Sequence, residues 1–130
     1  MDDAAYEAQK ARIEQFARYW IERLGLRWWR IDLKWDRGDN LPSADPAISE
    51  EWSGYAATDT AWQYLRAQVT FAVGAFTELD DEDAERSVLH ELVHVLVEEL
   101  RPEELTWEWQ RHNERCVSML TSAFLWTRGT

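Results

Sequence analysis

The stretch from Val88 to Leu100 constrains this chain more than any other part of it. Val88, Leu89, Leu92, Val93, Val95, Leu96, Val97 and Leu100 recur too closely to form one helical stripe. A helix that is apolar nearly all round belongs at the centre of a fold, with other elements packed on several sides. Its start is expected at a cap on Thr77 or Asp80, and acidic residues crowd the region from Glu78 to Glu85. Both features suit the positive end of a helix dipole. Its end is expected near Leu100, because Pro102 follows and the residue before a proline disfavours helix.

Two histidines stand inside that apolar run. His90-Glu91-Leu92-Val93-His94 has the pattern H-E-x-x-H. Residues i and i+4 lie one turn apart on one helical face, so both imidazoles can bind one ion through a single nitrogen each. Glu91 lies about 100° further round the helix than His90. From there it can reach a water at the metal without being a ligand. Zinc would bring the pKa of that water toward ~7. Glu91 would then take its proton as general base and deliver it to the leaving group.

The other elements are read around this helix. Ile13, Phe16, Ala17, Trp20, Ile21 and Leu24 form one stripe of an N-terminal helix, capped by Asp2 or Asp3 and closed by Gly25. From Leu26 to Asp36, Trp29, Ile31, Leu33 and Trp35 alternate with Arg30, Asp32 and Lys34, the period of a half-buried strand. Residues 38 to about 51 read as a loop holding Pro42 and Pro46. Strands are expected over Trp52 to Thr58 and about Gln63 to Val73, with Asp59-Thr60 at a hairpin turn. The last helix begins near Pro102 or Thr106 and runs to about Trp126. Its inner stripe is read as Trp109, Asn113, Cys116, Val117, Leu120 and Phe124. The fold class is therefore α/β in the broad, α+β sense. It has an N-terminal helix, about three mostly antiparallel strands, the central histidine helix and a C-terminal helix. At 130 residues, the chain is read as one domain, 1–130.

A catalytic zinc usually has three protein ligands and one open position. Glu98 shares the histidine face, but roughly 12 Å of helical rise separates it from His90, too far to close on one ion with both histidines. The third ligand should come from another element. The last helix supplies Asn113-Glu114, twenty residues beyond His94. Glu108 is its main rival, with Glu103 and Glu104 behind it.

H-E-x-x-H followed about twenty residues later by Asn-Glu on a second helix resembles the thermolysin-like gluzincins. The likeness covers about 25 residues directly, and the chain resembles a minimal zincin-like core of the kind seen in small bacterial or prophage-type proteins. The resemblance implies a metallopeptidase domain in which His90, His94 and Glu114 bind one Zn2+ and Glu91 is the catalytic base. It also implies an extended peptide lying along a strand beside the active-site helix, for which Gln63–Val73 is the favoured candidate. Two features depart from the family. Ser118 stands where an aspartate often orients a ligand histidine, and no tyrosine follows Tyr64. Candidates for stabilising the oxyanion are His112, Arg111 and Tyr64.

Composition narrows the alternatives. With 25 acidic and 14 basic residues the net charge is -11. Phosphate repels such a surface, so nucleic acid is not an expected partner. The single cysteine, Cys116, excludes an internal disulfide framework and any multi-cysteine zinc site. It is expected to be a buried, small apolar residue. Most of the nine tryptophans are expected in the core or covering strands, with Trp107, Trp109 or Trp126 as candidate cleft walls. No long apolar run predicts a membrane span, and the acidic start is unlike a signal peptide, so a cytoplasmic location is expected. The functional expectation is a zinc metallopeptidase acting on a peptide or protein substrate. The alternatives are a catalytically inactive binding module of the same fold, or an acidic interaction protein that mimics nucleic acid toward a basic partner.

Overall fold

The N-terminal helix starts where Asp2 caps it: the Ala5 N–H donates to the Asp2 carboxylate at 2.7 Å. The computed structural model describes residues 1–38 and 55–128. Helix α1 (Asp3–Arg23) buries Ile13, Ala17 and Trp20, spaced at four and three residues on one face. It stops at Leu24. Gly25 follows at φ +73, a left-handed conformation that glycine adopts without steric cost. A short 3-10 turn, Leu26–Trp28, leads into β1 (Arg30–Asp36).

Strands β2 (Ala56–Ala61) and β3 (Arg66–Ala72) complete a three-stranded sheet in the order β1-β3-β2. The sheet is mixed rather than mostly antiparallel. β2 pairs antiparallel with β3, from Ala56 opposite Phe71 to Ala61 opposite Arg66. β1 pairs parallel with β3, from Arg30 opposite Arg66 to Asp36 opposite Ala72. Connection length explains both pairings. A tight link, Trp62–Tyr64 plus Leu65 at φ 54, can only fold β3 back along β2. The longer segment after β1 lets that strand run in the same direction as β3 on its other side. Asp59 and Thr60 belong to β2 and not to the turn. The expected loop from 38 to about 51, and the expected strand start at Trp52, fall outside the described residues except for Gly38.

β3 lies in the middle, and its Ala67, Val69, Phe71 and Ala72 are buried. A 3-10 segment, Val73–Glu78, then crosses under α1. The Arg12 guanidinium holds it there, donating to the carbonyls of Phe76 (2.6 Å) and Leu79 (3.1 Å) and to the Asp81 carboxylate (3.1 Å). Phe76 and Phe71 are fully buried and meet edge to face at 6.0 Å. Burial of such a side chain contributes roughly 2–3 kcal/mol.

Helix α2 (Asp81–Leu96) begins at Asp80, whose carboxylate accepts from the Asp83 N–H at 2.8 Å. Its Ala84, Val88, Leu89, Leu92, Val93 and Val95 are buried, and it packs against α1, α3 and β2. The helix ends at Leu96. The expected last turn is a separate 3-10 turn, Glu98–Leu100. Helix α3 (Trp107–Trp126) starts at Thr106, whose hydroxyl accepts from the Trp109 N–H at 3.0 Å. Its fully buried residues are Val117 and Thr121. Glu85 ties the three helices together. Its carboxylate accepts from the Trp20 indole at 2.8 Å and pairs with Arg128 at 3.0 Å.

The tryptophans are less internal than expected. Trp20 is fully buried and Trp29, Trp35 and Trp109 partly so, but Trp28, Trp62, Trp107 and Trp126 are exposed. The exposed ones sit in the 3-10 turns at one end of the sheet and at the two ends of α3, where an element has no inner face to offer. No helix of the described residues is long and apolar enough to cross a membrane.

Candidate metal centre

Because α2 is packed on several sides, a histidine on it is carried into the interior. His90 is 1% exposed. His94, one turn on, is partly exposed, and the two rings meet at 5.0 Å with their planes at 76°. Glu114 reaches them from α3. It lies three residues before Val117 and seven before Thr121, so the contact that docks α3 also turns this carboxylate inward. Each of its oxygens meets a different imidazole. Oε1 is 3.0 Å from His94 Nε2 and Oε2 is 3.3 Å from His90 Nε2.

These distances allow two kinds of chemistry. With no ion, Glu114 accepts N–H donors from the imidazoles. Ligand atoms held at ~2.0–2.1 Å around a tetrahedral ion stand about 3.3 Å apart, and each Glu114–imidazole contact is close to that length, the two being made by different carboxylate oxygens. His90, Glu91 and His94 also form a group able to hold a metal ion, one ligand atom from each lying within 4.8 Å of the others. Both glutamates therefore lie within reach of the histidine pair.

The charges respond to this crowding. Burial opposes ionisation of Glu114, but hydrogen bonds from His90 and His94, and their charges, outweigh it and lower its pKa from 4.5 to about 2. Burial also opposes the charged form of His94. The Glu114 hydrogen bond and the charges of Glu91, Glu114 and Glu98 outweigh that as well, so its pKa is raised above 6.5.

Glu91 is 6% exposed, and a buried carboxylate needs donors. Thr58 on β2 supplies one. Its hydroxyl lies 2.8 Å from Glu91 Oε1 and 3.4 Å from the Glu91 carbonyl oxygen. A hydroxyl has a single proton, and the shorter contact takes it. Two residues along the same strand face, Thr60 donates to Glu98 Oε1 at 2.7 Å, and Arg101 holds the same oxygen at 2.8 Å. Neither threonine stands out in the sequence, because Asp59-Thr60 reads as a turn. The available signal was the alternation of Ala56, Thr58 and Thr60 along one face of a six-residue strand.

The other candidates lie elsewhere. Glu108 is exposed and has His112 as its neighbour, 3.9 Å away. Glu103 and Glu104 are exposed. Arg111 sits over the Trp107 ring at 6.0 Å. Tyr64 is 77% exposed in the turn beyond β2. Cys116 is exposed rather than buried. The inner face of α3 is centred on Val117 and Thr121, and Cys116 lies about 100° round from Val117. The Gln63–Val73 region does not offer a free edge for a substrate, because β3 is paired on both sides; β2 is the outer strand beside α2. Neither a family model, nor a curated protein, nor a solved structure matches the chain.

Proposed function

We propose that the chain is a zinc-dependent peptidase whose metal is held by His90, His94 and Glu114 and whose general base is Glu91. One observation carries the reading: two imidazole nitrogens and one carboxylate meet at 3.0 and 3.3 Å, with a second carboxylate beside them and hydrogen-bonded from outside. The donor set fits the ion. It is two neutral-capable nitrogens and one anionic oxygen, the combination that leaves a fourth zinc position open. A bound Zn2+ supplies Lewis acidity, polarising a carbonyl oxygen and making water acidic enough to deprotonate near neutral pH.

The chain's own residues do the remainder. His90 and His94 present their Nε2 atoms from one helical face, and Glu114 closes the set from α3. Glu91 has one oxygen engaged by Thr58, so its second oxygen is the one available to receive a proton from the attacking water. The same oxygen returns that proton to the amine nitrogen as the peptide bond breaks. Elemental analysis of purified protein tests the metal. One zinc per chain, lost in His94→Ala, is the expected result; no stoichiometric zinc, or unchanged binding in that variant, overturns the proposal. Glu91→Gln is expected to keep the zinc and lose cleavage of a peptide library by ~10²–10⁴-fold. A second reading, a zinc-holding binding module without turnover, draws on the positions of Tyr64, Arg111 and His112. All three are exposed, and Arg111 and His112 have Trp107 and Glu108 as neighbours. Zinc-loaded protein that cleaves nothing in the library would favour it.

A further inference from the structure

We propose that Thr58 decides which of the two glutamates is a ligand and which is the base, by holding Glu91 Oε1 away from the metal position so that Glu114 fills it. This rests on the metal reading of the site given above. Residue type alone does not separate the two roles, since both groups are glutamates. Proximity does not separate them either: Glu91 offers a ligand atom within 4.8 Å of those of His90 and His94, and it sits on the same helix. An unrestrained carboxylate there would be a natural third or fourth ligand.

What distinguishes the two is the outer partner. Glu114 turns one oxygen to each histidine. Glu91 has one oxygen taken by a donor on a different element, at 2.8 Å. That donor is well fixed. Thr58 is in the middle of β2, paired opposite Val69 on the central strand, and a β-branched side chain has little freedom at χ1. Its side of the strand faces α2, as the partly buried Thr58 and Thr60 alternate with exposed Ala57, Asp59 and Ala61. Thr60 repeats the device two residues on. With Arg101 it engages the carboxylate of Glu98, the other acid whose charge bears on His94. Strand β2 thus restrains two acids beside the histidines and leaves the third, on α3, to bind. Thr58 is a positioning residue, acting through Glu91.

The test uses Co2+ in place of zinc, because its visible absorption reports coordination number without a substrate. Wild type, Thr58→Ser, Thr58→Val, Thr58→Ala and the double variant Thr58→Val/Glu91→Gln are loaded with one equivalent. Thr58→Ser should match wild type, since the hydroxyl remains. Thr58→Val and Thr58→Ala should show a shifted and weaker band as Glu91 joins the ligands, with Co2+ held more tightly in chelator competition. Adding Glu91→Gln should restore the wild-type band. A purely structural threonine would lower the melting temperature and leave the band where it was. Having both Thr58→Val and Thr58→Ala keeps the test decisive if one of them does not fold. An unchanged band in the folded variant, or a shift that persists in the double variant, overturns the inference while leaving the metal site standing. If wild type takes up no Co2+, the metal reading itself falls and takes this inference with it.

Discussion

Replacing Glu114 by glutamine keeps the shape of the side chain and removes its charge, so it isolates the electrostatics of the site in metal-free protein. A carboxyl held at about 2 instead of 4.5 represents a ceiling of about 3 kcal/mol favouring its ionised form. The side chain is 26% exposed, and solvent screening reduces this to about 1–2 kcal/mol. The sign follows from the direction of each shift. The Glu114 pKa is lowered on folding, so its stabilisation is present above about 4.5 and is lost as pH falls toward about 2. The His94 pKa is raised on folding, so its stabilisation is present below 6.5 and is lost as pH rises through the higher folded value. The two windows overlap between 4.5 and 6.5. Urea unfolding in the presence of a chelator should therefore show Glu114→Gln about 1–2 kcal/mol less stable than wild type near pH 5.5. The deficit should shrink by pH 9, where the neutral ring keeps a hydrogen bond but no charge. Equal stability at pH 5.5, or a deficit that does not change by pH 9, would refute the reasoning.

Two further substitutions test the scaffold. Glu85→Ala removes the shared acceptor of the Trp20 indole and the Arg128 guanidinium and should cost about 2 kcal/mol in urea unfolding, since it leaves a buried donor unsatisfied. Gly25→Ala should cost about 1 kcal/mol, visible as a lowered melting temperature. The added Cβ meets nothing within 4 Å there, so the whole effect is the strain of φ +73 on a residue with a side chain.

Whatever a few neighbouring residues decide by themselves was legible in the sequence. The one-turn spacing of His90 and His94 needs only helical geometry, and the caps at Asp2 and Asp80 each fall on one of two candidates, since a cap needs only a side chain that reaches its own helix's first N–H groups. Glu114 was singled out by the resemblance and not by spacing alone, which left Glu108, Glu103 and Glu104 as rivals; the structure brings Glu114 to the two imidazoles. What the sequence did not convey is settled between elements far apart in the chain. Alternation in β1 and β3 announces strands but not their partners, so the parallel pairing that places β3 between β1 and β2 was invisible. The inner face of α3 was misjudged by a single residue, enough to bring Cys116 from buried to exposed, because several apolar side chains leave the centre of a helical stripe loosely defined.

Thr58 is the sharpest case. On the metal reading proposed above Glu91 sits beside the ion, and a glutamate there is as good a ligand as a base. The pattern alone therefore does not fix a mechanism. A hydroxyl at 2.8 Å, contributed from 33 residues earlier in the chain, supplies a reason for one role over the other. It can do so only because β2 runs beside α2 with its threonine face inward. On this reasoning the chemistry of the site is a property of the strand–helix pair and not of the helix alone. A transplanted α2 sequence in another fold would keep its paired histidines and lose the Thr58 hydroxyl that holds Glu91.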